Sequence, residues 1–318
     1  MSHPYKVLLY YKYVQLDDPE AVRAAQRELC ERLNIKGRIL IAHEGINGTV
    51  AGTPAEIDQY VTETTAFAPF ADIEWKISWA DEQIFPKLKV KVRDEIVTLG
   101  VKRTGKDVAI ENKANYIEPE ELLSLYESGE DFIILDARNV YEAEVGKFKD
   151  AVIPPIDNFR DFAQYVESIK DFKDKNVVTY CTGGIRCEKA SAYLRESGFK
   201  NVRQLHGGIH EYGRKAGGKH FEGEMFVFDK RLHVPVNEVN PTIISECSYC
   251  QQKVTRYIDC THISCPSLFI CCEACEREHL GTCSTKCYEK VTQQSQQEQD
   301  SSIPGHTPAA HSAPASLG

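Results

Sequence analysis

Cys181 ends the β-branched run Asn176-Val-Val-Thr-Tyr180 and is followed by Thr182, Gly183, Gly184, Ile185, Arg186 and Cys187. A cysteine reacts as its thiolate, an anion favoured by backbone amides, a helix N-terminus and a nearby arginine. Gly183 and Gly184 let the chain curl so that successive N–H groups face the sulfur. Arg186 adds a cation that does not deprotonate, and a helical pattern begins at Glu188. The plainer reading is a small buried thiol at a strand end. Strand, Cys, Gly-Gly, Arg and helix in this order favour a sulfur-anion cradle, with Cys181 as nucleophile and Arg186 as its stabilising charge. Cys187 has two readings, a packing residue under the loop or a resolving thiol that closes a disulfide with Cys181. Asp136 and Arg138 read as an ion pair that organises the core, and His206 and His210 as rim or structural residues.

A second chemistry is metal binding. Nine of the twelve cysteines fall between Cys247 and Cys287. Cys247, Cys250, Cys260 and Cys265 make one set of four, and Cys272, Cys275, Cys283 and Cys287 a second. Each can supply a tetrahedral tetrathiolate zinc site. Cys271 replaces Cys272 in an alternative register, and His262 and His279 are reserve ligands. The third feature is Lys87-Leu-Lys-Val-Lys-Val-Arg93. Period-two alternation puts Lys87, Lys89, Lys91 and Arg93 on one strand face, either solvated or touching a phosphate backbone. Lys102, Arg103 and Lys106 follow.

The elements that must position these groups sort into four segments. Residues 1–114 read βαββαβ: a strand over 5–13, a helix Pro19–Leu33, and strands 38–42 and 48–51 around a turn Glu44–Gly48. A helix then runs from Pro54 to Thr65, before strands 73–79 and 88–92. That order predicts a ferredoxin-like or acylphosphatase-like sandwich. Residues 115–240 alternate short apolar strands with helices, including one over 159–172, and predict a parallel α/β sheet with Cys181 at the carboxyl end of a central strand. Residues 241–290 form the small cysteine-rich module, and 291–318 read as a disordered tail. The chain is thus an α/β multidomain protein. Its 318 residues carry a formal net charge of -9, which argues against non-specific coating of nucleic acid. The N-terminus resembles neither a signal peptide nor a membrane span, so a cytoplasmic location without membrane association is expected. In a reducing compartment the cysteines imply metal or thiol chemistry.

The middle third resembles a rhodanese domain. Cys181-Thr-Gly-Gly-Ile-Arg186 looks like its six-residue active-site loop, Leu135-Asp-Ala-Arg138 with Glu142 and Gly146 like its opening motif, and Leu205-His-Gly-Gly-Ile-His-Glu-Tyr212 like its closing Gly-Gly element. The usual Gly-His-Ile of the family reads Gly146-Lys-Phe here. Phosphatases on this fold have one residue more between Cys and Arg, so the shorter loop suits sulfur better than phosphate. With the flanking segments His43–Val50, Arg93–Val97 and Gly223–Arg231, the chain resembles the bacterial rhodanese-domain family that hydroxylates uridine 34 of tRNA. That resemblance implies 5-hydroxyuridine formation with molecular oxygen as co-substrate, the tRNA anticodon region as partner, and a required Cys181. No flavin or nucleotide cofactor is evident, and up to two structural zinc ions are expected. A flipped pyrimidine would rest on an aromatic such as Tyr180 or Tyr212. The alternative is a sulfurtransferase or persulfide carrier using Cys181; a non-catalytic redox or RNA-binding sensor is a third reading.

Overall fold

The computed structural model describes residues 4–103, 106–107 and 110–301. Residues Met1–Ser245 fall in one compact unit and Glu246–Gly318 in a second. The boundary expected at 114/115 therefore lies inside a single unit.

The first unit opens with β1 (Tyr5–Tyr13), α1 (Pro19–Arg32), β2 (Lys36–Ala42), β3 (Gly45–Gly52), α2 (Pro54–Thr65), β4 (Lys76–Ala80) and β5 (Leu88–Val92). Asp18 starts α1 by accepting from the Ala21 amide at 2.9 Å, with Pro19 in the first turn. Thr53 and Glu56 form a capping box that starts α2. The sheet order is β4-β1-β3-β2-β5, antiparallel except for β5, which lies parallel to β2. Alternation along β1 buries Leu8 and Tyr10 in a core with Ile39, Ile41, Val50, Ile57 and Tyr60. Leu9, Tyr11 and Tyr13 project from the other face. The expected turn over Glu44–Gly48 is shorter than predicted. β3 begins at Gly45, so only His43 and Glu44 connect the hairpin.

The chain continues through the small hairpin β6 (Lys102–Arg103) and β7 (Lys106–Asp107), then β8 (Asn115–Ile117), α3 (Pro119–Ser128), β9 (Ile133–Asp136), α4 (Val140–Val145) and β10 (Gly146–Phe148). The side chains expected as cations at 102, 103 and 106 lie outside the described residues. Next come α5 (Phe162–Val166), β11 (Asn176–Tyr180), α6 (Ile185–Glu196), β12 (Asn201–Leu205), α7 (Gly208–Ala216), β13 (Phe221–Gly223), β14 (Met225–Phe226) and β15 (His233–Val234). Strands β8-β12-β11-β9 make a parallel sheet with a core on each face. The helix expected over 159–172 is broken. Tight turns at Phe159–Asp161 and Lys170–Phe172 flank the five-residue α5. Its buried Phe159, Phe162, Val166 and Ile169 keep a helical period while the chain turns towards β11.

The second unit holds the antiparallel pair β16 (Tyr257–Asp259) and β17 (Leu268–Ile270), followed by α8 (Glu273–Glu278) and α9 (Thr285–Ser301). The tail expected to be disordered from 291 is thus helical as far as Ser301. Residues 302–318 lie outside the described residues.

Candidate active site

β11 ends at Tyr180, at the centre of the parallel sheet, and delivers Cys181 to the sheet's carboxyl edge. The Cys181 sulfur accepts the Gly184 amide at 3.1 Å, and the amides of Arg186 and Cys187 also point at it. Gly184 has φ +100°, the left-handed turn that aims those amides inward and starts α6 three residues earlier than expected. From behind, the Ile209 and His210 amides bond the Cys181 and Thr182 carbonyls at 3.0 and 3.1 Å. That approach requires glycine at 208, where a Cβ would stand 2.4 Å from the Cys181 oxygen.

Cys181 is 1% exposed. Burial disfavours its charge, but the Cys187 thiol donates to the sulfur, and Arg186 and the loop amides add to the effect. Together they hold the Cys181 pKa at about 6, so it is a thiolate at neutral pH. Burial and the neighbouring thiolate push Cys187 up, keeping it a protonated donor. Arg186 itself is clamped by Glu142, with Nη1–Oε1 at 2.5 Å and Nη2–Oε2 at 2.7 Å. Glu142 is completely buried and would resist ionisation there, yet Arg186 and Arg138 hold it below the usual carboxylate range. Asp136 and Arg138 form a buried bidentate pair whose guanidinium also donates to the Gly146 carbonyl at 2.7 Å. Sequence reading assigned Glu142 only to a motif; its grip on Arg186 is the role it missed.

The face of the N-terminal sheet that carries Leu9, Tyr11 and Tyr13 covers this loop. Helix α6 is consequently buried on all sides from Arg186 to Leu194, charged residues included. Glu188 accepts from the Tyr11 hydroxyl at 3.0 Å and the Tyr116 hydroxyl at 2.6 Å, and pairs with Lys113 at 2.9 Å. Lys189, 2% exposed, donates to Glu44 at 2.9 Å and Glu95 at 2.6 Å. Glu44 and Glu95 belong to two of the three segments singled out in sequence without a role, and they converge on one buried cation. Lys76, also buried, lies over the Tyr11 ring at 5.0 Å, and burial lowers its pKa.

A cavity of about 610 Å³ lies between the covering sheet and the loop. Cys181, Gly183 and Arg186 form one wall; Arg38, Asn47, Thr49 and Arg93 face them. Lys87, Lys89, Lys91 and Arg93 are all exposed, and Lys89 is in register with Arg38. The basic face of β5 therefore runs up to the cavity through Arg93. Thr182 and Ile185 also line the cavity. His206 instead bridges Glu118 at 2.7 Å and Glu74 at 3.3 Å, and His210 lines an adjoining cavity. Tyr180 and Tyr212 are fully buried in the core on one face of the parallel sheet, packed on Phe148, so neither is open to a substrate base.

In the second unit the eight cysteines fall into two groups of four, but not the consecutive groups expected. Cys247, Cys250, Cys272 and Cys275 gather their sulfurs within 4.8 Å of one another, as do Cys260, Cys265, Cys283 and Cys287. The sets interleave because the β16–β17 hairpin brings the end of each set to its beginning. Cys250–Cys272 and Cys265–Cys283 stand at 3.7 and 3.6 Å. A zinc tetrahedron with Zn–S near 2.3 Å has edges of about 3.8 Å, so both clusters fit the ion. Cys271 belongs to neither: it points to the Cys272 carbonyl, which fixes the register on Cys272. His262 joins neither group, whereas His279 gathers with Cys275 and Glu278 and stacks on Tyr249. Among the described residues no helix is long and apolar enough to cross a membrane.

Comparison with known proteins divides the chain similarly. Residues 5–96 match the UPF0176 acylphosphatase like domain, 118–215 the rhodanese-like domain, and 222–288 the rhodanase C-terminal family. A tRNA uridine(34) hydroxylase from Staphylococcus haemolyticus is 44% identical over 286 residues, 89% of this chain and 88% of its own. One from Cytophaga hutchinsonii is 43% identical over 289 residues, 89% of each chain. Among solved structures, the Alr3790 protein from Anabaena sp. is 30% identical over 34% of this chain and 91% of its own, with a TM-score of 0.30.

Proposed function

The chain belongs to the tRNA uridine(34) hydroxylase family, and on that premise we propose that it converts uridine 34 of tRNA to 5-hydroxyuridine, with molecular oxygen as co-substrate and Cys181 as the reacting group. The observation that carries this reading is the cavity's second wall. A rhodanese loop alone is enough to carry sulfur between small molecules. Here the thiolate instead faces Arg38, Asn47, Thr49 and Arg93 across a space that admits a base extruded from an RNA loop. The Cys181 thiolate meets the uracil, and Arg186 steadies its negative charge.

Lys87, Lys89, Lys91 and Arg93 contact phosphates of the anticodon arm, and their line into the cavity supports that role. Both cysteine clusters hold zinc as a structural ion, and the enzyme works in the cytoplasm, where its tRNA substrate is. Assay of the purified protein on unmodified tRNA tests the reading. Nucleoside analysis should show 5-hydroxyuridine in the presence of oxygen, none under anaerobic conditions, and none with Cys181→Ser. Thiosulfate-dependent sulfur transfer without tRNA modification would establish the sulfurtransferase instead.

A further inference from the structure

The segment Gly223–Arg231, singled out in sequence without a role, builds one more part of the site. At 57% exposure Phe228 is the most exposed Phe, Tyr or Trp among the described residues. It lies at the tip of the β14–β15 hairpin and lines both the Cys181 cavity and the adjoining one of about 420 Å³. Its ring centre is 6.0 Å from the Arg186 guanidinium and 5.2 Å from that of Phe226. The tip is tied down. Val227 donates to the Leu232 carbonyl at 2.8 Å, and Asp229 grips Arg231 at 2.8 and 2.6 Å. Arg231 in turn reaches the Ser78 hydroxyl and Trp79 carbonyl of β4, each at 3.2 Å. The hairpin is thereby fastened to the covering sheet, and an open aromatic face is held at the mouth beside the thiolate loop.

Such a placement costs the protein apolar exposure and does nothing for its core. It does offer what an unstacked base lacks once it leaves its RNA loop, since every base has a π-face and aromatic side chains receive it. We propose that the target uracil stacks on Phe228 and is thereby positioned against Cys181. This deepens the hydroxylase reading and rests on it. Preorganisation by Asp229 and Arg231 means that little side-chain freedom is lost on binding.

The test measures affinity of the full-length protein for two anticodon stem-loop RNAs, one with uridine at position 34 and one abasic there. Wild type should prefer the uridine RNA by about tenfold or more, the scale of one base–aromatic stack. Phe228→Ala should lose that preference while binding the abasic RNA as wild type does, and Phe228→Tyr should restore it. Unchanged alkylation of Cys181 in Phe228→Ala checks that the loop is intact. Equal effects of Phe228→Ala on both RNAs, or no effect on either, would overturn the stacking assignment. If wild type still hydroxylates tRNA in that case, the hydroxylase reading survives. Failure of wild type to modify tRNA at all would remove both.

Discussion

At the scale of single residues, the site is governed by which charges are compensated. Cys181 keeps its charge at 1% exposure because Cys187, Arg186 and the loop amides outweigh burial. An acidic group pulled down to about 6 reacts as its anion above that pH. Alkylation of Cys181 should therefore rise through pH 6 and flatten well before the usual thiol range near 8.5. Mass-spectrometric labelling across pH 4–9 would show it, and a midpoint above 8 would refute the cradle. Cys187→Ala removes one donor to the sulfur, so the midpoint should move upward in that variant. Arg186 and Glu142 form a different kind of dependence. Glu142→Ala would leave Arg186 without its buried partner, and breaking such a pair typically costs about 3–5 kcal/mol. Urea unfolding of Glu142→Ala should register a loss of that size, whereas breaking an exposed pair such as Lys200–Asp174 should leave the unfolding midpoint almost where it was.

At the scale of elements, local signals decided most of what could be read in advance. Asp17 or Asp18 before Pro19, and Thr53 before Pro54, marked where both N-terminal helices start, and the structure settles on Asp18 and adds Glu56 to the Thr53 cap. The apolar run of β11 ending in Cys-Thr-Gly-Gly-Ile-Arg gave the loop. Contacts distant in sequence stayed hidden. Nothing near Lys189 in the sequence points to Glu44, 145 residues away, or to Glu95. Cysteine spacing had the same limit: it named eight ligands but grouped them consecutively, because pairing across the β16–β17 hairpin leaves no local trace. The interleaved grouping makes its own prediction. Replacing Cys265 by serine should lower metal affinity only at the site shared with Cys260, Cys283 and Cys287. The full chain should then keep close to one tightly held zinc. A fragment ending before Cys271 should hold none tightly, since it contains only half of each cluster; consecutive sets would let that fragment keep one. Metal analysis after dialysis against a chelator separates the two outcomes.

At the scale of the molecule, the compact unit that ends at Ser245 holds two domains that share buried ions. Lys189 is the centre of that joint, 2% exposed between Glu44 and Glu95. Lys189→Met would strand two carboxylates near the interface. Thermal unfolding should then begin at lower temperature and split into two steps where wild type shows one. Calorimetry that still finds a single transition at the wild-type temperature would count against this joint. The crossed cysteine clusters also bear on how the protein is made. With zinc as occupant, the first site waits for Cys275 and the second for Cys287, while Cys247, Cys250, Cys260 and Cys265 have already left the ribosome. Four nascent thiols therefore spend an interval of synthesis without their metal, exposed to whatever oxidants the cell contains. An oxidative burst should damage chains still being translated more than finished ones, and pulse-labelled protein should show it first.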